Sequence, residues 1–277
     1  MGSPWSDLPA GAETGTLVHR VLQEMDFAAP DLDGEIARVV AAAWPPSGAD
    51  GSSDRLGAAL RASITTPLGP LAGGIALRDL AGADRLNEMW FELPIAGGDA
   101  PGERAAVAMG EVARLFEHHT DGTPAAPLSG YGRRLRDPLL ATDLRGYLTG
   151  SLDLVFRVAD GGAPRYFVVD YKTNWIGTDG EGLSAWHYRP AALDAAMQRM
   201  HYPLQAVFYL VALHRYLRWR LPGYDPEVNL GGALYLFLRG MCGPGTPEVD
   251  GVPCGVFSWH PPAALVTELS DLFEGRR

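Results

Sequence analysis

"GSLDLVFRVADGGAPRYFVVDYK", residues 150–172, sets two runs of strand formers on either side of a glycine pair. Aliphatic, β-branched and aromatic residues dominate both runs, as in strands with at least one face in a core. Gly161-Gly162 suits a two-residue hairpin turn, because such turns put the central residues at positive φ. Strands paired symmetrically about that turn bring together residues whose numbers sum to 323, so Asp153 falls opposite Asp170. Side chains alternate along a strand. Asp153 is therefore expected to face away from Leu152 and Leu154, while Asp170 and Lys172 share one face opposite Val169 and Tyr171.

Directly opposed side chains have Cβ atoms roughly 5 Å apart, where two carboxylates repel. A divalent cation between them removes the conflict. Hard oxygen ligands in small number favour Mg²⁺, which keeps several waters and also binds phosphates. Lys172, on the same face, is placed to orient or help deprotonate a water held by that cation, or to neutralise charge gathering on a phosphate. Two acids and a lysine around a metal fit phosphodiester hydrolysis. The D-x-K element is weak alone, because charged residues are common at strand ends; the opposed aspartate strengthens it.

The whole chain of 277 residues, 47% hydrophobic and 20% charged, can bury a sizeable core. No apolar run approaches the roughly 20 residues that span a bilayer, and the opening "MGSPWSDLPAGAETG" lacks the basic flank and apolar centre of a signal peptide. Residues 1–13 read as an expression scar and linker on a fragment of a longer protein. Cys242 and Cys254 make no disulfide framework or zinc knuckle and read as reduced thiols. The formal net charge of −10 argues against a broad nucleic-acid-coating surface but leaves a local one open.

Apolar periodicity predicts helices over 14–27, 32–44, 54–65, 102–119, 203–220 and 262–274, and strands over 87–95, 144–158, 164–172, 231–240 and 254–259. Helices that precede, interrupt and follow a compact strand group imply an α/β (α+β) domain with a central mixed β-sheet. No linker divides it. His118-His119 read as surface residues, and "RYLRWR" (215–220) as the solvated back of a helix.

The ordered set G-x-x-D at Gly150–Asp153, D-Y-K at Asp170–Lys172 and Q-x-x-x-Y at Gln205–Tyr209 resembles the nuclease domain of the RecB subunit of bacterial RecBCD helicase–nucleases, within the PD-(D/E)XK nuclease superfamily. "GTLVHRVLQEMDF" (15–27), "EMWFELPI" (88–95) and "GGALYLFLRG" (231–240) extend the likeness over nearly the whole chain. The resemblance implies one domain over 14–277, with a helical part at 14–70 and a nuclease core at 75–277.

It also implies roles. Asp153 and Asp170 would be metal-binding carboxylates and Lys172 the catalytic lysine. His19 would be a further metal ligand, joined by the Tyr171 main-chain carbonyl. Gln205 and Tyr209, four apart on one helix face, would lie beside the site. Glu88, expected on one strand face with Trp90 and Glu92, would be an auxiliary acid. Mg²⁺ is the implied cofactor, with Mn²⁺ substituting and Ca²⁺ binding without supporting catalysis. The implied substrate is DNA, mainly single-stranded, in a cytoplasmic DNA-end-processing complex with a helicase part of the same chain and RecC- and RecD-like subunits, and no membrane. No G-x-x-x-x-G-K-[ST] loop is present. The alternatives are a non-catalytic DNA-binding or subunit-docking module that keeps the nuclease fold, and a stand-alone exonuclease without a motor.

Overall fold

The computed structural model describes residues 1–43, 51–96, 98–99, 106–121, 127–159, 162–178 and 180–276. Three helices come first: α1 (Ala12–Glu24), α2 (Leu32–Ala43) and α3 (Ser52–Thr65). Strand β1 (Arg85–Ile95), helix α4 (Met109–Thr120) and strands β2 (Gly146–Val158) and β3 (Arg165–Lys172) follow. Helices α5 (Pro190–Arg199) and α6 (Tyr202–Arg220) lead to β4 (Leu230–Phe237), β5 (Val256–Trp259) and α7 (Ala263–Phe273). The five strands form one mixed sheet in chain order, β1 to β5. Only the β3–β4 pair is parallel. A parallel pair needs a long crossover, and α5 and α6 supply it.

The predicted register holds. Leu154 pairs with Val169, Val155 with Val168, Phe156 with Phe167, Arg157 with Tyr166 and Val158 with Arg165, each pair summing to 323. The main-chain ladder ends at Leu154–Val169, and Asp153 and Asp170 are next in line. The turn predicted at Gly161-Gly162 lies partly outside the described residues, as does the 102–105 end of the helix predicted over 102–119.

Both faces of the sheet are covered. Val18, Leu22, Ile36 and Leu60 of α1–α3 bury against Leu154, Phe156, Val169 and Leu234. Val112, Leu193, Leu210 and Phe273 of α4–α7 bury against Val155, Val168 and Tyr235 on the other face. Strand β4 is buried along its whole length, which is why its sequence reads as a continuous apolar run rather than an alternation.

Two expectations are corrected. Residues 1–13 are not a loose linker: Trp5 and Leu8 are buried, and the first residues are sewn to the core. The Arg239 side chain, itself fully buried, donates to the carbonyls of Trp5, Leu8 and Pro9 and to that of Thr173. The second correction concerns alternation. Leu152 packs in the layer of α4–α7 and Leu154 in the layer of α1–α3, so Asp153 cannot face away from both. The interruption lies at Glu88, at φ 52° between the pairs Asn87–Leu154 and Met89–Leu152, directly across from Asp153. A non-glycine residue in the left-handed region breaks the period of two, and the register survives because one residue on each strand is skipped.

Candidate active site

The C-terminal end of β3 carries Asp170, Tyr171 and Lys172, and alternation sends the acid and the amine to the face that α6 covers. Tyr171 goes the other way, into the layer of α1–α3. Asp170 is buried, and its Oδ2 lies 2.5 Å from Lys172 Nζ. That contact lacks hydrogen-bond geometry, so this oxygen receives no hydrogen bond among the described residues. Burial pushes the Asp170 carboxyl well above the usual range; Lys172 opposes the shift and Asp153 adds to it.

Asp153 binds in two directions. Its Oδ2 accepts the Tyr171 main-chain N–H at 2.8 Å. Its Oδ1 is 3.2 Å from His19 Nδ1. Helix α1 approaches the strand end closely at Gly15, where a Cβ would stand 3.2 Å from Thr173 Oγ1, and this sets His19 over the Tyr171 ring edge at 6.0 Å. Burial alone lowers the His19 imidazole pKa. The hydrogen bond to Asp153 and the charges of Asp153 and Asp170 outweigh it, so the net shift is upward.

Helix α6 contributes from the opposite side. Lys172 Nζ donates to Gln205 Oε1 at 3.3 Å, and Gln205 Nε2 donates to the Tyr209 hydroxyl at 2.8 Å. Burial, with Asp170 and Asp153 nearby, raises the Tyr209 phenol above its ordinary range, so it remains a neutral hydrogen-bonding group. The glycine of the G-x-x-D element has a part in this. Gly150 pairs across the sheet with Phe91, a Cβ at 150 would lie 3.0 Å from that ring, and the Phe91 ring meets Tyr209 edge-on at 6.0 Å.

The candidate site residues named from the sequence thus lie near one sheet end, in two groups. His19, Asp153, Asp170, Lys172, Gln205 and Tyr209 form a connected chain of contacts. Glu88 stands apart from it, accepting from Gln23 Nε2 in an open groove lined also by Gly15, Thr16, His19 and Arg20. It does not share a regular strand face with Trp90 and Glu92, because the backbone turns at Glu88 itself. His119 is not a surface residue: its side chain is largely covered and lies 3.4 Å from Glu268. In the 215–220 stripe, Arg215 and Arg218 are paired with Glu274.

Two site neighbours escaped the sequence reading. Tyr235, across the parallel pair from Asp170, and Tyr202, at the start of α6, both face Lys172. Nothing local marks either. Another signal was readable: Lys172 is the one lysine of the chain, among 22 arginines.

The donors suit a hard divalent cation in kind: a buried carboxylate with an oxygen lacking a hydrogen bond, a second carboxylate beside it, and an imidazole. Among the described residues, however, no three His, Cys, Asp or Glu side chains form a ready-made metal cluster. Asp153 is engaged with His19, and Asp170 with Lys172. Bringing both carboxylates onto one ion means loosening those pairs.

Comparison with known proteins gives the family. The PD-(D/E)XK nuclease superfamily model matches residues 2–253. The chain is 48% identical over 276 residues to the RecBCD enzyme subunit RecB of Mycolicibacterium smegmatis, covering 98% of this chain and 25% of that protein. It is 46% identical over 280 residues to the RecB subunit of Mycobacterium tuberculosis (99% and 25%). With that of Escherichia coli K12 it shares 32% identity over 273 residues (96% and 19%). The chain therefore spans about a quarter of the length of its mycobacterial relatives.

Proposed function

The chain belongs to the PD-(D/E)XK nuclease superfamily, and on that footing we propose that it is a RecB-type nuclease domain that hydrolyses phosphodiester bonds of DNA, mainly single-stranded, with Mg²⁺. The observation that carries this reading is the buried Asp170 oxygen, without a hydrogen bond, beside the chain's one amine side chain and next in register to Asp153. A buried, raised carboxylate held against a lysine is expensive unless it has a task.

Asp153, Asp170, His19 and the Tyr171 carbonyl would hold the cation. A divalent cation there supplies Lewis acidity toward a phosphodiester oxygen. The other tasks fall to side chains. Lys172 holds the attacking water in line with phosphorus and neutralises charge on the non-bridging oxygens. Gln205 and Tyr209 fix Lys172 and line the groove that also takes in Phe91, Gly150 and His201, an apolar surface on which unpaired bases can rest. In this reading the chain works in the cytoplasm, joined to a helicase part and to RecC- and RecD-like subunits, in DNA-end processing and double-strand-break repair. Among the described residues no helix is long and apolar enough to cross a membrane.

The test is cleavage of end-labelled single-stranded DNA by the purified chain with Mg²⁺ or EDTA, beside Asp170→Ala. Product with Mg²⁺ only, absent in the variant, supports the proposal. Equal product in all three reactions, or DNA retention without product after the RecB-type partners are added, overturns it.

A further inference from the structure

We propose that Tyr202 and Tyr235 form an aromatic seat that positions the Lys172 ammonium. Tyr202 supplies the ring face, and Tyr235 the hydroxyl that holds Gln205 in place. The inference rests on the proposed catalytic role of Lys172.

Three observations carry it. Lys172 Nζ lies 4.0 Å from the centroid of the Tyr202 ring and 5.3 Å from that of Tyr235, within the range of cation–π attraction. The two rings stack on each other at 5.7 Å, so neither turns freely. The Tyr235 hydroxyl lies 3.1 Å from Gln205 Oε1 and 3.3 Å from the Tyr202 carbonyl. It therefore fixes the same amide oxygen that accepts from Lys172. The ammonium has Asp170 as its ion-pair partner, donates to Gln205 and faces the Tyr202 ring. A lysine on a flexible four-carbon stem holds no position by itself; this surrounding does it.

Residue choice points the same way. The chain meets its need for positive charge with arginine 22 times and uses lysine once, at 172. A planar, forked guanidinium does not match a compact pocket bounded by two rings, an amide and a carboxylate, whereas a point-like ammonium does.

The single lysine also makes the test clean, because an amine-acylating ester can mark only Lys172 and the terminal α-amino group. Acylation rates read by mass spectrometry at fixed pH should rise several-fold at Lys172 in Tyr202→Leu, relative to the terminal amine, and stay near the unsubstituted rate in Tyr202→Phe. On single-stranded DNA, Tyr202→Leu should lower kcat about tenfold with KM changed less than twofold, and Tyr202→Phe should restore most of it. In a Lys172→Ala background, Tyr202→Leu should cause no further loss, since the ring acts through the amine. Should Tyr202→Leu misfold by circular dichroism, Tyr235→Phe carries the test, with a several-fold fall in kcat and a faster acylation of Lys172.

Unchanged acylation and unchanged kcat in a folded Tyr202→Leu, or losses fully additive with Lys172→Ala, would overturn the seat. If Asp170→Ala and Lys172→Ala cleave as well as the unsubstituted chain, the nuclease reading fails instead, and the acylation rates still decide whether the seat exists.

Discussion

Asp153 Oδ2 accepts the main-chain N–H of Tyr171 at 2.8 Å while Oδ1 of the same side chain lies 3.2 Å from His19 Nδ1. One carboxylate thereby ties β2 to β3 just past the end of their main-chain ladder, and ties α1 to both. It is an architectural group as well as a candidate ligand.

The two roles separate by substitution. Asp153→Asn keeps an acceptor for the Tyr171 N–H and should hold stability within about 1 kcal/mol, whereas Asp153→Ala strands a buried donor and should cost about 1–3 kcal/mol. Both should lose DNA cleavage by at least a hundredfold. Urea denaturation beside a cleavage assay checks this; an active Asp153→Asn would remove the carboxylate from the chemistry.

Asp170 should behave in the opposite sense. Its ionised form is disfavoured by burial, which outweighs the help of Lys172. In cation-free buffer at neutral pH, Asp170→Asn should be as stable as the unsubstituted chain or more so. Adding Mn²⁺ should raise the melting temperature of the unsubstituted chain and leave that of Asp170→Asn in place, because only a state that binds the ion is stabilised by it. Equal shifts in both proteins would place the ion elsewhere.

His214, on α6, is buried with its Nδ1 2.8 Å from the Tyr224 hydroxyl. Burial, with Arg218 and Arg215 nearby, pulls its pKa down to about 4. Between that value and the unfolded value near 6.5 the unfolded chain binds the extra proton. This contribution is complete above about pH 6.5 and is lost as pH falls toward 4, by an amount on the order of 2 kcal/mol. His214→Gln should flatten the loss in denaturant titrations at pH 7.5, 6 and 5.

Arg239 is a buried guanidinium that donates to four carbonyls, of Trp5, Leu8, Pro9 and Thr173. Arg239→Met leaves those acceptors without donors and should destabilise by about 3 kcal/mol or more. Because three of the four belong to the first residues, limited proteolysis should cut there first. Loss of the Thr173 anchor, one residue beyond Lys172, should also slow cleavage. A variant resistant to proteolysis at residues 1–9 would show that Trp5 burial alone holds that segment.

Much of the fold could be read in advance because its determinants are short-range. The boundaries of α2, β1, β3 and α6 follow from apolar period, Pro203 in a first helical turn and polar breaks. The likeness to RecB nuclease domains named six residues that do meet at one sheet end. It did not reveal that Glu88 leaves the strand face, since a positive φ at a glutamate has no sequence mark. Nor did it reveal that the first nine residues are anchored, since their partner Arg239 is 230 positions away.

By itself, the sequence determined the β2–β3 pairing and hence the neighbourhood of Asp153 and Asp170. The apolar runs on either side of the glycine pair leave one register in which both strands bury their apolar faces between Leu154–Val169 and Val158–Arg165. Tertiary structure alone decided how the face switches at Asp153, how the first helix docks to set His19 against Asp153, and which rings enclose Lys172. Those outcomes depend on two helical layers closing on opposite faces of one sheet, and contacts between remote segments are set by how the layers pack.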